Sequence, residues 1–169
     1  MQRVTTQQRR RLVMKSRQLV RGIALGLAFG ATAIFSHAIP ATAGDVVKER
    51  RETMKTVVEN FKPIVGMVKG AVAFDAATVR KNAANIAALL KKAKGLFPKG
   101  SDAGDTRAKP EIWQNMDEFN AIFDAAIKNA EALATVSAAD ALPPAVMALG
   151  GKGCKACHEK FRKPKKDKM

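Results

Sequence analysis

The chain contains, close to its C-terminus, the stretch GKGCKACHEKFR (residues 151–162), around which the rest of the sequence is organised. Its cysteines and histidine follow the spacing Cys-x-x-Cys-His, the attachment signature of c-type haem. In a helix, positions i, i+3 and i+4 share one face, so Cys154, Cys157 and His158 would converge on one ligand. We therefore predict one covalent haem c per chain, attached through Cys154 and Cys157, with His158 as an iron ligand.

Other chemistry fits the same residues less well. A structural zinc site needs four ligands drawn from cysteine and histidine, and the only other histidine, His37, lies in a segment that we expect to be removed. A redox dithiol of the thioredoxin type normally accompanies a βαβ pattern, which this sequence lacks. A chance occurrence of the motif is the remaining alternative.

Residues 1–43 have the features of a secretory signal peptide. Seven Lys and Arg residues precede an apolar run from 23 to 35 that is too short to span a bilayer, and Ala41 and Ala43 form a small-x-small cleavage site. We predict cleavage after Ala43, a location in the periplasm and a mature domain of residues 44–169. A retained membrane anchor is the alternative.

Removal of this segment changes the charge balance. Residues 1–43 hold seven of the 30 basic residues and none of the 15 acidic ones, so the formal net charge falls from +15 to +8. With one Trp and no Tyr the chain has few aromatic groups to stack on bases, and we expect no nucleic acid partner. We expect redox partners with acidic docking surfaces instead. The basic excess lies mainly at the C-terminal end, in Lys160, Arg162, Lys163, Lys165, Lys166 and Lys168.

Helical periodicity and the scarcity of β-forming residues predict an all-α chain. The first apolar stripe crosses Pro63, which should kink the helix or remove a hydrogen bond, and ends near Gly70. The stripe has no apolar residue between Val47 and Met54, and Arg51 occupies that step. Its apolar members are Val47, Met54, Val58, Phe61, Val65 and Val68.

Two further stripes follow, separated by a loop rich in Gly, Pro and Asp (97–109). Asp75 is a candidate cap for the second helix, and Pro110 suits the first turn of the third. The second stripe consists of Val79, Ala83, Ile86, Leu90 and Ala93. The third consists of Ile112, Met116, Phe119, Phe123, Ala126, Ala130 and Leu133.

A fourth helix opens at Pro143-Pro144 and runs into the cysteine motif. Gly150, Gly151 and Gly153 lower its helix propensity but would let its backbone approach a flat macrocycle. A break between two shorter helices is the alternative. Four amphipathic segments joined by short or modest loops predict an antiparallel four-helix bundle, with the haem between the fourth helix and the others.

These features resemble the class II c-type cytochromes, the cytochrome c′ family. The resemblance rests on the C-terminal cysteine motif, on GDTRAKPEIW (104–113) and on VKERRETM (47–54). Class I cytochromes carry the same motif near their N-terminus. The family has a five-coordinate, high-spin branch with an apolar distal side and a six-coordinate, low-spin branch in which a first-helix methionine is the second iron ligand.

The resemblance places Met54 at the distal position of the haem. A thioether is a suitable partner for histidine on haem iron, so we expect Met54 to be the second ligand and the chain to belong to the low-spin branch. The alternative is a core methionine that merely lies over the haem. Three other methionines have only their stripe positions to recommend them: Met67, Met116 and Met147.

Four other residues match family positions around the haem. Arg50 resembles an arginine that holds a propionate, and Trp113 a tryptophan against the haem edge. Phe161 and Arg162 match the aromatic residue and the arginine on the proximal side, where an arginine can tune the imidazole. The alternatives are a solvated Arg50, a Trp113 that only packs in the core, and an Arg162 that only begins the basic tail.

The resulting expectation is a periplasmic one-electron carrier. The alternative is a five-coordinate haem protein that binds nitric oxide or carbon monoxide, as suggested for high-spin relatives. We expect no enzyme, because no distal histidine remains for acid–base chemistry. Some relatives are dimers built through the first two helices, so a homodimer is possible for this chain.

Overall fold

The computed structural model describes residues 42–164. The predicted signal peptide lies outside this range, except for its last two residues. Within the range, no helix is long and apolar enough to cross a membrane. The helices are α1 (Ala43–Val68), α2 (Ala76–Lys94), α3 (Glu111–Gln114), α4 (Met116–Leu133), α5 (Leu142–Met147) and α6 (Ala156–Phe161), and α5 and α6 are joined by a π-helical segment (Ala148–Lys155).

These elements form the predicted four-helix bundle. α1 packs against α2, α2 against α4, and α4 against α5, the π-helical segment and α6, which together make the fourth helix. α5 closes the ring by contacting α1. The connections from α1 to α2 and from α4 to α5 are short, which favours antiparallel neighbours. A longer loop, 95–110, joins α2 to α3. The all-α fold class predicted from the sequence is confirmed.

The ends of α1 and α2 follow from local sequence. Thr42 and Asp45 form a capping box at the start of α1, so cleavage after Ala43 would remove the capping residue. α1 continues through Pro63, and the chain then turns at Gly70, whose φ of 70° favours glycine. Asp75 caps α2 by accepting hydrogen bonds from the backbone of Ala77 and Thr78, as predicted.

The prediction for the buried face of α1 was partly wrong. Arg50, not Arg51, takes the missing step, because Arg50 is only 5% exposed while Arg51 lies at the surface. Val58 was placed in the stripe but is 54% exposed, and Val57 is buried in its place. Neighbouring residues of a helix point about 100° apart, so a one-residue error in the stripe moves a side chain from the core to the surface.

The third predicted helix is divided in two. Asn115 has φ −129° and ψ 47°, which ends α3 and lets α4 begin at the next residue. Its side-chain amide donates to the carbonyl oxygen of Glu111 at 3.0 Å, a local hydrogen bond of the kind with which asparagine competes with helix geometry. The buried stripes of the second and third segments are otherwise as predicted, with Met116 half-buried.

The fourth helix matches neither of the two expectations for its glycines. The chain does not break into two separated helices, and it does not continue as a regular α-helix. It passes through a π-helical segment that contains Gly150, Gly151, Gly153 and Cys154. π-Helical turns are rare and occur frequently at functional sites.

Candidate haem-attachment site

An open cleft of about 380 Å³ lies along the C-terminal half of the fourth helix. Its volume falls in the range of small-molecule sites. Cys154 and His158 both line it, and Cys154 and Cys157 are free, half-buried thiols. The convergence expected from the motif spacing is therefore present for Cys154 and His158. The lining residues are Gly150, Cys154, Lys155, His158, Glu159 and Arg162.

The two thiols lie in an environment that keeps them protonated. Burial raises the pKa of both, and the adjacent Cys154 contributes to raising the pKa of Cys157 to about 11. A redox-active dithiol requires the opposite, a thiol pKa that is lowered by nearby positive charge or a helix N-terminus. These cysteines are therefore poorly suited to disulfide exchange, which weakens the dithiol alternative.

His158 is held in its neutral form. Burial, together with the positive charges of Arg162 and Arg107, lowers the pKa of its imidazole to about 4. Neutral imidazole is the form that binds metals. At neutral pH the ring can thus donate a nitrogen lone pair without first losing a proton.

The donor set fits haem better than a bare metal ion. Among residues 42–164, no three His, Cys, Asp or Glu side chains are grouped so that they could hold a metal ion. A zinc site therefore lacks the ligands that it needs. Haem brings its own four ring nitrogens and requires from the protein only two thiols and an axial ligand, which is what the motif supplies.

A short antiparallel bridge fixes the end of α6, about one helical turn after His158. Ala108 pairs with Arg162, the backbone N–H of Lys109 donates to Phe161 at 3.0 Å, and that of Lys163 donates to Arg107 at 2.8 Å. The Arg107 side chain also donates to the Lys163 carbonyl oxygen at 2.6 and 2.9 Å. Sequence reasoning missed this role of Arg107, although the stretch at 104–113 was already singled out.

Arg50 contacts the loop that precedes this bridge. One guanidinium nitrogen donates to the Ser101 carbonyl oxygen at 3.0 Å and to the Thr106 hydroxyl at 2.8 Å, and the other donates to the Leu96 carbonyl oxygen at 3.2 Å. The guanidinium carbon lies 4.5 Å from the centre of the Phe97 ring. Arg50 is thus not solvated. Its contact with a propionate stays a prediction.

Trp113 and Phe161 belong to one aromatic cluster. The Trp113 indole donates to the carbonyl oxygens of Phe97 and Pro98 at 3.2 and 2.9 Å, and its ring lies 6.2 Å from that of Phe97. Phe161 is buried and packs edge-to-face on Phe119, with ring centres 5.4 Å apart. Their predicted contacts with the haem are not tested by these packing interactions.

An aromatic residue of α1 lies against the fourth helix beside the cysteine cleft. The Phe61 ring lies against Gly150, where a Cβ atom would approach it to 3.3 Å. Phe61 also lines a second cleft of about 280 Å³ on α1, together with two valines and two lysines: Val58, Val65, Lys62 and Lys69. Met54 is half-buried, packs against the core and lines neither cleft.

Comparison with known proteins places this arrangement in a family. The sequence profile described as Cytochrome C' matches residues 45–162. Cytochrome c′ of Rhodopseudomonas palustris is 37% identical over 123 residues, which cover 72% of this chain and 84% of that protein. Cytochrome c-556 of Agrobacterium tumefaciens is 34% identical over 123 residues, covering 71% of this chain and 98% of that protein.

A solved structure supports the same assignment. A nitric oxide complex of a single-residue variant of cytochrome c′ from Alcaligenes xylosoxidans superposes with a TM-score of 0.67 at 30% identity, covering 73% of this chain and 98% of that one. The fold, the paired thiols beside a neutral imidazole and the family match agree with one another. The chain therefore belongs to the cytochrome c′ family of c-type cytochromes and carries covalent haem c through Cys154 and Cys157.

Proposed function

We propose that His158 would bind the haem iron and that the chain would supply no second iron ligand, so that the iron would be free to bind a diatomic gas such as nitric oxide or carbon monoxide. A five-coordinate, gas-binding haem was the alternative hypothesis from the sequence. We now favour it over a six-coordinate haem with Met54 as the second ligand. When bound, haem supplies an iron that exchanges one electron and accepts such gases as ligands. The observation that carries the proposal is the position of Met54, which packs against the core and lines neither cleft.

The Phe61 ring of α1 gives an apolar surface next to Gly150. The cleft that Phe61 lines contains Val58 and Val65 but also Lys62 and Lys69, and His158 is the only histidine among residues 42–164. A side chain that could donate a proton to a bound gas is thus not supplied by histidine. The nitric oxide complex solved for the Alcaligenes protein, at 30% identity, shows that one relative binds this gas. This likeness supports gas binding here.

A one-electron carrier with Met54 as second ligand is the other candidate. It is favoured by the basic side chains near the cysteine cleft. Lys155 and Lys160 pair with Glu159 and Glu118, whereas no carboxylate partner is found for Lys152 or Lys163 within the described residues. Such unpaired cations would attract a partner protein with an acidic docking surface. Oxidation and reduction of the haem are compatible with both candidates.

An optical spectrum of the ferric holoprotein, followed by carbon monoxide titration of the ferrous form, separates the two candidates. The gas-binding proposal predicts a high-spin spectrum and rapid, complete binding. Met54→Leu keeps the apolar volume and should leave both results unchanged, at a stability cost below about 1.5 kcal/mol. Met116→Leu is the matched control, because Met116 is also half-buried against the core. A low-spin wild type that becomes high-spin only in Met54→Leu would favour the electron carrier.

Two further proposals concern location and assembly. Residues 1–43 direct export, so that haem is attached and the protein works in the periplasm. Three exposed valines, two on α1 and one in the loop after it, form the surface that we propose for a homodimer: Val58, Val68 and Val72. Sedimentation equilibrium of wild type and Val58→Asp tests this. A monomeric wild type at all accessible concentrations would exclude the dimer.

A further inference from the structure

The side chain of Arg107 is held at the end of the fourth helix. Its Nε and Nη2 atoms both donate to the carbonyl oxygen of Lys163, at 2.9 and 2.6 Å. The backbone N–H of Lys163 donates in return to the carbonyl oxygen of Arg107 at 2.8 Å. The Arg107 side chain is also half-buried. A guanidinium that is fixed at two of its nitrogens has much less freedom than an arginine at the open surface, because its donors form a planar fork.

No negative charge neutralises this guanidinium. Within the part of the chain that the structure describes, no carboxylate forms an ion pair with Arg107. Its acceptor, a backbone carbonyl oxygen, is neutral. Two neighbouring cations of the fourth helix differ in this respect, because Lys155 pairs with Glu159 and Lys160 pairs with Glu118. Arg107 therefore contributes an uncompensated positive charge to its surroundings.

The charge of Arg107 lies close to His158. Lys163, which holds it, is five residues beyond His158, and the bridge between Ala108 and Arg162 brings the two segments together. The pKa of the imidazole is lowered first by burial, then by Arg162 and then by Arg107. The Arg162 side chain is exposed and makes no hydrogen bond within the described residues. Of these two cations, only Arg107 is held in place.

A fixed positive charge near the iron favours the reduced haem. Reduction adds one electron and so removes one positive charge at the iron, which lessens its repulsion by a nearby cation. Salt screens exposed charges over a length of about 10 Å at 0.1 M and about 3 Å at 1 M ionic strength, whereas partly buried charges are screened much less. Because Arg107 is held and half-buried, it should keep its influence on the iron in salt.

We propose that Arg107 raises the reduction potential of the haem, and that the carbonyl oxygen of Lys163 holds its guanidinium near His158. The inference rests on His158 as the proposed iron ligand and does not depend on what binds the iron on the other side. The family resemblance predicted that Arg162 tunes the imidazole, whereas it assigned no role to Arg107.

Trypsin digestion of the wild-type holoprotein tests whether Arg107 is held. Trypsin must take a basic side chain into its specificity pocket before it cuts the chain. Lys99 and Arg107 both lie in the loop 95–110, but the side chain of Lys99 is exposed and makes no hydrogen bond or ion pair within the described residues. A hydrogen bond from a charged group is worth about a factor of ten or more. Cleavage after Lys99 should therefore be at least about tenfold faster than cleavage after Arg107, which mass spectrometry of the fragments measures.

Spectroelectrochemical titration of the holoprotein in 0.1 M and 1 M salt tests the effect on the iron. Arg107→Gln removes the charge, so the equilibrium constant for one-electron reduction should fall by at least about twofold, which is about 18 mV at 59 mV per tenfold. This fall should persist in 1 M salt. Lys163→Gln is the matched control, because it removes an exposed cation and leaves the backbone carbonyl oxygen in place. Its effect should disappear in 1 M salt, and Arg107→Lys, which keeps the charge, should stay within about twofold of wild type.

The proposal is overturned if trypsin cuts after Arg107 as fast as after Lys99, or if Arg107→Gln lowers the reduction constant no more than Lys163→Gln does in 1 M salt. An equal fall in Arg107→Lys and Arg107→Gln would also overturn it, because a change of structure and not of charge would then be responsible. If far-UV circular dichroism shows that Arg107→Gln does not fold, the digestion and Arg107→Lys decide. A reduction constant of Arg107→Lys within about twofold of wild type then supports the proposal, and a larger fall overturns it.

Failure of the proposed function is detected separately. An unchanged haem spectrum in His158→Ala would exclude this histidine as the iron ligand. Absence of gas binding would leave the digestion and the reduction constants unchanged, because no gas takes part in either measurement.

Discussion

Replacement of Arg50 by Met removes a buried cation that holds a loop against α1. The change takes the donors away from the Ser101 carbonyl oxygen, the Thr106 hydroxyl and the Leu96 carbonyl oxygen, at 3.0, 2.8 and 3.2 Å. The Ser101 carbonyl oxygen is the buried acceptor that is left without a partner, at a cost of about 1–3 kcal/mol, whereas the Thr106 hydroxyl still accepts from the Ala108 N–H. Loss of the contact with Phe97 costs about 0.5–2 kcal/mol. Burial also lowers the pKa of Arg50, so removal of its charge recovers part of this cost. The expected net loss in the free energy of unfolding is about 2–4 kcal/mol.

Urea unfolding of the holoprotein, followed by far-UV circular dichroism, measures this loss if the m-value is unchanged. Arg51→Met is the matched control. Arg51 is exposed and pairs only with the exposed Asp105, so its loss should cost about 0–1 kcal/mol. The reasoning is refuted if Arg50→Met is no less stable than Arg51→Met. A changed haem spectrum or reduction potential without a loss of stability would instead point to the propionate contact expected from the sequence.

Three other outcomes follow from the same structure. Gly153→Val should destabilise the fold by about 1–3 kcal/mol through overpacking, because even a Cβ would lie 3.2 Å from the Ala126 side chain; Gly151→Val, which meets only the exposed Met147 side chain, should cost less in the same urea assay. In the haem-free variant Cys154→Ala/Cys157→Ala, His158 has a pKa near 6.5 in the unfolded chain and about 4 in the folded protein. At pH values between these two, His158 therefore binds a proton when the protein unfolds. The free energy of unfolding should therefore fall by about 1–2 kcal/mol between pH 7 and pH 5. Adding His158→Ala to the haem-free variant should remove this pH-dependent loss. An equal pH dependence with and without His158 would contradict the burial of the imidazole. Mass spectrometry of the periplasmic fraction should show a mature N-terminus at Gly44, whereas an intact chain in the membrane fraction would show a retained anchor.

The attachment chemistry and the second and third apolar stripes were predictable because each depends on residues close together in the sequence. Cys154, Cys157 and His158 need only a helical backbone to approach one another. The stripes that include Val79 and Phe119 repeat with the helical period and are buried as expected. Likewise, the cap at Asp75 depends only on backbone groups two and three residues away.

The orientation of α1 was less predictable because two stripes one residue apart are both apolar. Val57 and Val58 are equally hydrophobic, and the choice between them is made by what α2 and the 96–106 loop offer. Arg50 turns inward because carbonyl oxygens and the Phe97 ring surround its guanidinium. That environment is built from residues about fifty positions away, which no local pattern reveals.

The sequence by itself determined the haem attachment motif, the number of helices in the bundle and most of the residues in its core, since these are properties of spacing and periodicity. Only the tertiary structure decided the π-helical conformation of Ala148–Lys155 in the fourth helix. Three glycines in that segment make several helical conformations similar in energy. The choice among them falls to contacts with α4, in which Ala126 and Asn129 meet the segment and Phe119 meets Phe161 after it. A helical conformation that is selected by long-range packing cannot be predicted from neighbouring residues in the sequence, because the residues that select it lie on a different helix.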